Sequence, residues 1–246
     1  MSEFNHEPHE PHEKTSEFPS FVRGVRAVRG FLSFYSELKP VTFFLIFFVF
    51  SSLPCLFAQT GRDALAEYRN GNFETVVEIC RQEIAENAQN LESHVVICWS
   101  LLRLGRYNEA AEYAEKAAAL NRYDVRVIEI AGEVDFYRGR AESALQHFQD
   151  YINLAPEGAR IETVYFFLGE IYIGQGRYRY ADIALSTALH YVPGNARWWT
   201  RLAYTREMAG DTLGAAQAYQ KALELDGHLS DAVRGLERTR AALDRR

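Results

Sequence analysis

The side chains best suited to acid–base chemistry are glutamates and histidines, and their spacing does not predict a catalytic site. Glu129, Glu133 and Glu170 could be imagined as acid–base partners, but carboxylates on helix faces are usually solvated. The sequence contains no Ser-His-Asp order, phosphate-binding loop or HExxH motif. Four histidines fall at unrelated positions and are not expected to converge: His94, His147, His190 and His228. We therefore expect no enzyme and no catalytic residue.

Three histidines near the N-terminus are the residues most suited to metal binding. His6, His9 and His12 are three residues apart, a spacing that could attract a metal ion. Pro8 and Pro11 lie between them and prevent the helix that would gather the three rings on one face. We interpret this stretch as a disordered polar tail, and we expect neither a metal nor a cofactor.

The three cysteines, Cys55, Cys80 and Cys98, lack the spacing of metal ligands, so the sequence does not predict a zinc site. Cys80 and Cys98 fall on helices that should be neighbours. A disulfide between them is conceivable if the domain is exported. Alternatively, they are two buried thiols that pack as small apolar residues.

Five glycines recur at nearly constant spacing and set the organisation of the chain. They are separated by 34, 34, 37 and 34 residues: Gly71, Gly105, Gly139, Gly176 and Gly210. The stretches around them are rich in Ala, Leu and Glu, with apolar residues every three to four positions, as in helices. Each glycine allows the backbone to turn between two helices, and Pro156 and Pro193 follow second helices. This period predicts a solenoid of stacked helix pairs.

The repeated unit resembles the tetratricopeptide repeat. Its fourth copy matches the family pattern at these positions: Tyr165, Leu168, Gly169, Tyr172, Gly176, Tyr178, Ala181, Leu185, Ala188 and Pro193. The resemblance implies an all-α, right-handed superhelical solenoid of about five helix-turn-helix repeats. It places the domain over 59–246 with the following repeats and a C-terminal capping helix: roughly 61–90, 91–124, 125–158, 162–195 and 196–229, with the cap over 229–244.

In this family the first helices of successive repeats line a concave groove that binds other proteins. The positions that map to this groove are aromatic, apolar or acidic: Trp99, Leu102, Glu129, Glu133, Phe136, Phe166, Glu170, Ile173 and Tyr204. An apolar and aromatic stripe on a groove suits an extended peptide or an amphipathic helix. The glutamates would favour a basic flank on that ligand. Alternatively, the aromatic side chains are half-buried between repeats.

The first 58 residues have the order of an export signal. A polar and basic leader over 1–40 precedes an apolar segment over 41–58, in which residues 43–50 carry no polar side chain. This segment could be a cleaved signal peptide, an uncleaved anchor of 18 residues, or a lipoprotein signal with Cys55 acylated. In each case the basic leader places the repeats outside the cytoplasmic membrane.

The formal net charge of −6 is too small to indicate a nucleic-acid partner. The sequence instead predicts an exported scaffold or adaptor that binds a protein or peptide in the periplasm or at the membrane facing it. The alternative is a self-associating envelope assembly factor, or an accessory lipoprotein, without a peptide ligand. The oligomeric state and the identity of the partner are left open.

Overall fold

The computed structural model describes residues 63–245, in which all regular secondary structure is α-helical. The expected all-α fold is therefore confirmed for this part of the chain. The leader over 1–40, the apolar segment over 41–58, Cys55 and the three N-terminal histidines lie outside the described residues. The described helices are α1 Ala64–Arg69, α2 Phe73–Glu86, α3 Leu91–Arg103, α4 Tyr107–Leu120, α5 Val125–Tyr137, α6 Ala141–Leu154, α7 Ile161–Gly174, α8 Tyr178–Tyr191, α9 Ala196–Met208, α10 Thr212–Leu225 and α11 Ser230–Leu243.

Glycine turns join the two helices of each pair. All five turn glycines have positive φ, from +68° at Gly176 to +84° at Gly210. A side chain at such a position would strain the backbone, so the residue type itself determines where the turn falls. The N-cap residues of the first helices α3, α5 and α9 are Asn90, Asp124 and Asn195. Their side chains accept hydrogen bonds from backbone N–H groups of the first turn.

Small residues allow the two helices of a pair to approach closely. A Cβ built on Gly132 of α5 would lie 2.5 Å from Cε1 of Phe148 on α6, and one on Gly169 of α7 would lie 2.6 Å from Cγ of Leu185 on α8. Each glycine therefore faces the large side chain that fills the space between the two helices. A small residue on the second helix, such as Ala144 on α6, is also fully buried at this contact. This complementarity follows from the close packing of protein interiors.

The helix pairs stack in chain order around a core that extends along the domain. Buried apolar residues within 63–245 form four successive clusters, as expected when each repeat packs only on its neighbours. First helices contact one another across repeats at α1–α3, α3–α5 and α5–α7, and α9 contacts α11. In the described chain α7 and α9 do not pack as closely, and no two second helices make a comparable contact. The stack therefore curves towards the first helices, which line its concave side.

No helix within 63–245 combines the length and the apolar character needed to cross a bilayer. The two cysteines in this range, Cys80 and Cys98, are fully buried and free. Burial raises the pKa of the Cys80 thiol to about 12 and also raises that of Cys98. Both thiols are therefore protonated and poorly nucleophilic at neutral pH.

Candidate functional site

The concave side brings the expected groove residues onto α3, α5, α7 and α9, but not all of them reach its surface. Leu102, Glu129 and Glu133 are buried, with 8%, 1% and 8% of their surface exposed. This corrects their assignment to the groove. The helices that pack on α3 and α5 cover these positions.

The four aromatic side chains expected in the groove are all half-buried. Trp99 packs against Tyr68 of α1 with ring centroids 5.9 Å apart. Phe136 packs against Phe167 of the next repeat at 4.9 Å. The centroid of the Tyr204 ring lies 5.4 Å from the guanidinium carbon of Arg201. The contacts of Trp99 and Phe136 join neighbouring repeats, whereas Tyr204 contacts Arg201 of its own helix. Each of the four rings keeps part of its surface exposed.

The N-terminal part of the concave side holds one unsatisfied polar atom. The indole Nε1 of Trp99 is buried and has no hydrogen-bond partner among residues 63–245. A buried donor without an acceptor destabilises the fold by about 1–3 kcal/mol.

Glu129 and Glu133 share a single arginine. Arg160 donates from Nε to Glu129 Oε1 at 2.8 Å and from Nη2 to Glu133 Oε1 at 2.7 Å. Burial and the nearby Glu133 carboxyl raise the pKa of Glu129 well above its ordinary value. Arg160 lies in the loop that is three residues longer than the others, and its backbone N–H donates to the Tyr151 hydroxyl. The longer loop therefore supplies the partner of two interior carboxylates.

Arginine–glutamate pairs of this kind connect successive repeats along the concave side. In each pair the arginine lies 27 to 34 residues after the glutamate and bonds to it at 2.6–3.0 Å. The pairs are Arg126–Glu92, Arg160–Glu129, Arg160–Glu133, Arg201–Glu170 and Arg238–Glu207. Because the glutamates are neutralised within the chain, they do not form the acidic surface that would favour a basic ligand. In three of these pairs the arginine follows the glutamate by 31 residues, and this regular separation is visible in the sequence.

A cleft on the concave side lies between α7, α9 and the start of α11. Its volume is about 660 Å³. Phe166 of α7 and Trp198 of α9 stack at its wall with ring centroids 4.8 Å apart and planes 11° apart. Beside them, the Arg201 guanidinium binds Glu170 with both Nε and Nη2, at 2.6 and 2.7 Å. An aromatic wall next to a satisfied ion pair is suited to an apolar side chain with polar surroundings.

The rim of this cleft is polar and open. Arg197, Thr200, His228, Ser230 and Asp231 line it together with the aromatic wall. Arg197 is exposed, and no carboxylate within 63–245 pairs with it, whereas Asp231 is paired with Arg234. The unpaired charge at the rim is therefore positive.

Sequence reasoning missed Trp198, the residue that completes this wall. The family pattern assigns its aromatic position to the next residue, Trp199, whose indole donates to the Pro193 carbonyl oxygen at 2.8 Å and packs on the core. Trp198 is one residue, or about 100°, away around α9. Phe166 and Glu170 were expected in the groove and do line the cleft. Ile173 is half-buried in the same core cluster as Phe166.

The histidines of the described chain do not cluster. The four histidines occupy separate places, from buried His94, whose Nδ1 lies 2.9 Å from the Asn90 carbonyl oxygen, to His228 at the rim of the cleft. Residues 63–245 contain no group of three or more His, Cys, Asp or Glu side chains arranged to hold a metal ion.

Comparison with known proteins identifies the repeated unit. Tetratricopeptide-repeat models match residues 91–124 and 167–230, so the chain contains tetratricopeptide repeats. No curated protein sequence matches the chain.

Solved structures share the fold at low sequence identity. One comes from a functional characterisation of Pseudomonas aeruginosa pilF, with 16% identity, TM-score 0.65 and coverage of 74% of this chain and 81% of that one. Another is MamA from Desulfovibrio magneticus RS-1, with 19% identity, TM-score 0.58 and coverage of 68% and 93%. A third is TTC0263, a thermophilic tetratricopeptide-repeat protein from Thermus thermophilus, with 21% identity, TM-score 0.55 and coverage of 73% and 95%. These likenesses support the solenoid fold.

Proposed function

We propose that this protein is a non-catalytic scaffold that binds an extended segment of a partner protein in the cleft between α7, α9 and the start of α11. The observation that carries the proposal is the Phe166–Trp198 stack in a cleft of about 660 Å³ on the concave side. Concave faces of solenoids are extended binding surfaces. The tetratricopeptide repeats of the chain support this role, because a solenoid of such repeats presents an extended concave surface.

The cleft indicates the chemistry of the bound segment. The stacked rings favour an apolar or aromatic anchor, since aromatic side chains commonly dominate the energetics of a protein interface. Glu170 is occupied by Arg201, and Arg197 is the unpaired charge at the rim. The segment should therefore carry neutral or acidic residues beside its anchor, instead of the basic flank expected from the sequence.

Substitution of Trp198 tests this proposal. Peptides that bind the full chain would be selected from a displayed random library, and their affinities measured by fluorescence anisotropy for wild type, Trp198→Ala and Trp198→Phe. The matched control is Ile183→Ala, because Ile183 on α8 is 67% exposed and outside the cleft. Removing an aromatic anchor partner should weaken binding by about 2 kcal/mol, or about thirtyfold.

Trp198→Phe should retain most of the affinity, because a phenyl ring can still stack on Phe166. Equal affinities of wild type and Trp198→Ala would refute the assignment of the cleft. If no peptide is selected and sedimentation shows a stable oligomer, the self-associating assembly factor would be the better account. Circular dichroism of each variant would establish that its repeats are folded.

The proposal includes export, with the repeats acting in the periplasm or on the membrane surface that faces it. Its support is the sequence order of basic leader, apolar segment over 41–58 and small residue at Ala58. Alkaline phosphatase fused after the last repeat should be active in cells, because the enzyme folds only where disulfides form. Intact mass would separate cleavage after Ala58, acylation at Cys55 and an uncleaved anchor. An inactive fusion on a stable protein would refute export.

A further inference from the structure

The turns inside the helix pairs form an edge of the solenoid that is rich in arginine and tyrosine. We define the turn edge as the turns at Gly105, Gly139 and Gly176 with the residues that flank them. The loops between repeats lie at the opposite edge, because the two helices of each pair run antiparallel. The turn edge is distinct from the concave cleft described above.

Two clefts open on the turn edge, and each is lined by two arginines and two tyrosines. The first has a volume of about 640 Å³. In it, the rings of Tyr107 and Tyr137 stack across two repeats with centroids 4.6 Å apart and planes 5° apart. Arg106 and Arg138 flank this stack. The aromatic pair forms a rigid surface between two guanidinium groups.

The second cleft also contains two arginines and two tyrosines, but no carboxylate. Its volume is about 320 Å³, and it is lined by Arg177, Tyr178, Arg179 and Tyr180. The guanidinium carbon of Arg177 lies 4.3 Å from the centroid of the Tyr180 ring, and this cation–π contact fixes its orientation. Tyr180 is itself 54% exposed.

Few of these arginines have an acidic partner in the chain. Glu109 in the first cleft is bound by both Arg106 and Arg81. Arg138 and Arg179 are exposed, and within 63–245 no carboxylate pairs with either one or with Arg177. Glu142, beside the Gly139 turn, is exposed and also has no ion pair within 63–245. The three unpaired arginines outnumber it, so the turn edge keeps a net positive charge, although the whole chain has a formal charge of −6.

The start of helix α8 adds to the positive potential of this edge. α4, α6 and α8 have arginines at their N-caps, and these side chains cannot accept a hydrogen bond from the first-turn N–H groups. By contrast, α10 begins at Asp211, whose side chain accepts from Gly214 N–H. Helix N-termini favour anions. Glu109 and Glu142 lie in the first turns of α4 and α6, whereas the first turn of α8 has no acidic residue, so the N-terminus of α8 is the one that lacks a carboxylate.

We propose that the turn edge is a second docking surface, and that its occupant is an acidic, extended segment of a protein partner. Arginine guanidiniums match carboxylates with two parallel hydrogen bonds. The tyrosine rings beside these guanidinium groups offer apolar contact to the side chains of a peptide. Two repeats separate the clefts, or about 20 Å if each repeat adds a helix spacing of about 10 Å. A segment of about six extended residues would connect them.

The test uses fluorescein-labelled deca-glutamate as the probe and deca-glutamine as the uncharged control. Anisotropy would be measured with the full chain at low and high salt. The edge variant is Arg138→Gln/Arg179→Gln. Its matched control, Arg122→Gln/Arg245→Gln, removes the same charge from exposed positions outside the turn edge and the concave cleft.

We expect saturable binding of deca-glutamate that weakens at high salt, and no binding of deca-glutamine. The edge variant should lose affinity about fivefold to tenfold, because exposed charge pairs contribute modestly, and the control variant should lose less than twofold. Equal losses in the two variants, or no saturable binding, would overturn the proposal. Preferential binding to vesicles of phosphatidylglycerol and phosphatidylcholine would also overturn it, in favour of a membrane surface.

Trp198→Ala separates this inference from the function proposed for the concave cleft. It should leave deca-glutamate binding unchanged, and Arg138→Gln/Arg179→Gln should leave the library-selected peptides bound. Loss of deca-glutamate binding in Trp198→Ala would place the acidic probe in the concave cleft and overturn the second docking surface. Far-UV circular dichroism and thermal unfolding would confirm that each variant keeps its repeats.

Discussion

Removal of the Arg160 guanidinium should destabilise the contact between the third and fourth repeats, where it binds Glu129 and Glu133. The side chains of these glutamates are only 1% and 11% exposed, so Arg160→Ala leaves two interior carboxylates without their partner. Breaking a buried ion pair by removing one side destabilises a protein by about 3–5 kcal/mol. Arg160 is itself 43% exposed and partly screened by solvent, which reduces our expectation to about 2–3 kcal/mol.

The loss should depend on pH in a direction set by Glu129. Its pKa is raised in the folded protein, so its contribution to stability is complete below the ordinary value of about 4.3 and is lost as pH rises through the raised pKa. Removal of Arg160 raises that pKa further, because the favourable charge is gone. The destabilisation should therefore be larger at a pH of about 7.5 than at a pH of about 5.

Urea unfolding followed by circular dichroism at the two pH values would measure this effect, and thermal unfolding should show a decrease in Tm of about 5–10 °C for a domain of this size. Glu129→Gln placed in the Arg160→Ala background should recover part of the loss at the higher pH, because it removes one buried charge. Arg122→Ala is the control, since Arg122 is exposed and pairs with no carboxylate within 63–245. A loss below about 0.5 kcal/mol, or one that is the same at both pH values, would refute the reasoning.

Two further predictions concern the packing of the pairs and the buried thiols. Gly132→Ala should destabilise the domain by about 1–3 kcal/mol, because its Cβ would lie 2.5 Å from the aromatic ring across the pair. Gly174→Ala, with nothing within 4 Å, should be neutral or stabilising by up to about 1 kcal/mol; similar Tm values for both variants would contradict the packing account. Cys80 and Cys98 should resist a thiol reagent at a pH of about 8 until denaturant is added, since burial raises their pKa, and rapid labelling of the native protein would contradict their burial.

The repeat period was sufficient to predict the fold because each turn requires a residue type that the sequence displays. Gly105, Gly139 and the other turn glycines have positive φ, and their spacing marks every helix pair. Helical periodicity then predicts which residues face the core. Turn position and helical periodicity are local properties of the chain, and the same local pattern recurs in each repeat.

The surface of the groove was harder to predict because it depends on contacts between repeats. Glu129 and Glu133 occupy first-helix positions that face the groove in the family pattern, but a longer loop brings Arg160 over them and encloses them. Trp198 was missed because one residue of register decides whether a side chain of α9 faces the core or the cleft. A shift of one residue along α9 therefore changes which of two tryptophans, Trp198 or Trp199, lines the cleft.

Hydrogen exchange with a library-selected peptide bound to the full chain tests the central claim most directly. We predict slower exchange at 161–174 and 196–208, which hold Phe166 and Trp198, and little change at 178–191 and 212–225 on the outer second helices. Protection confined to the second helices, or to the turn edge, would contradict a partner segment bound in the concave cleft.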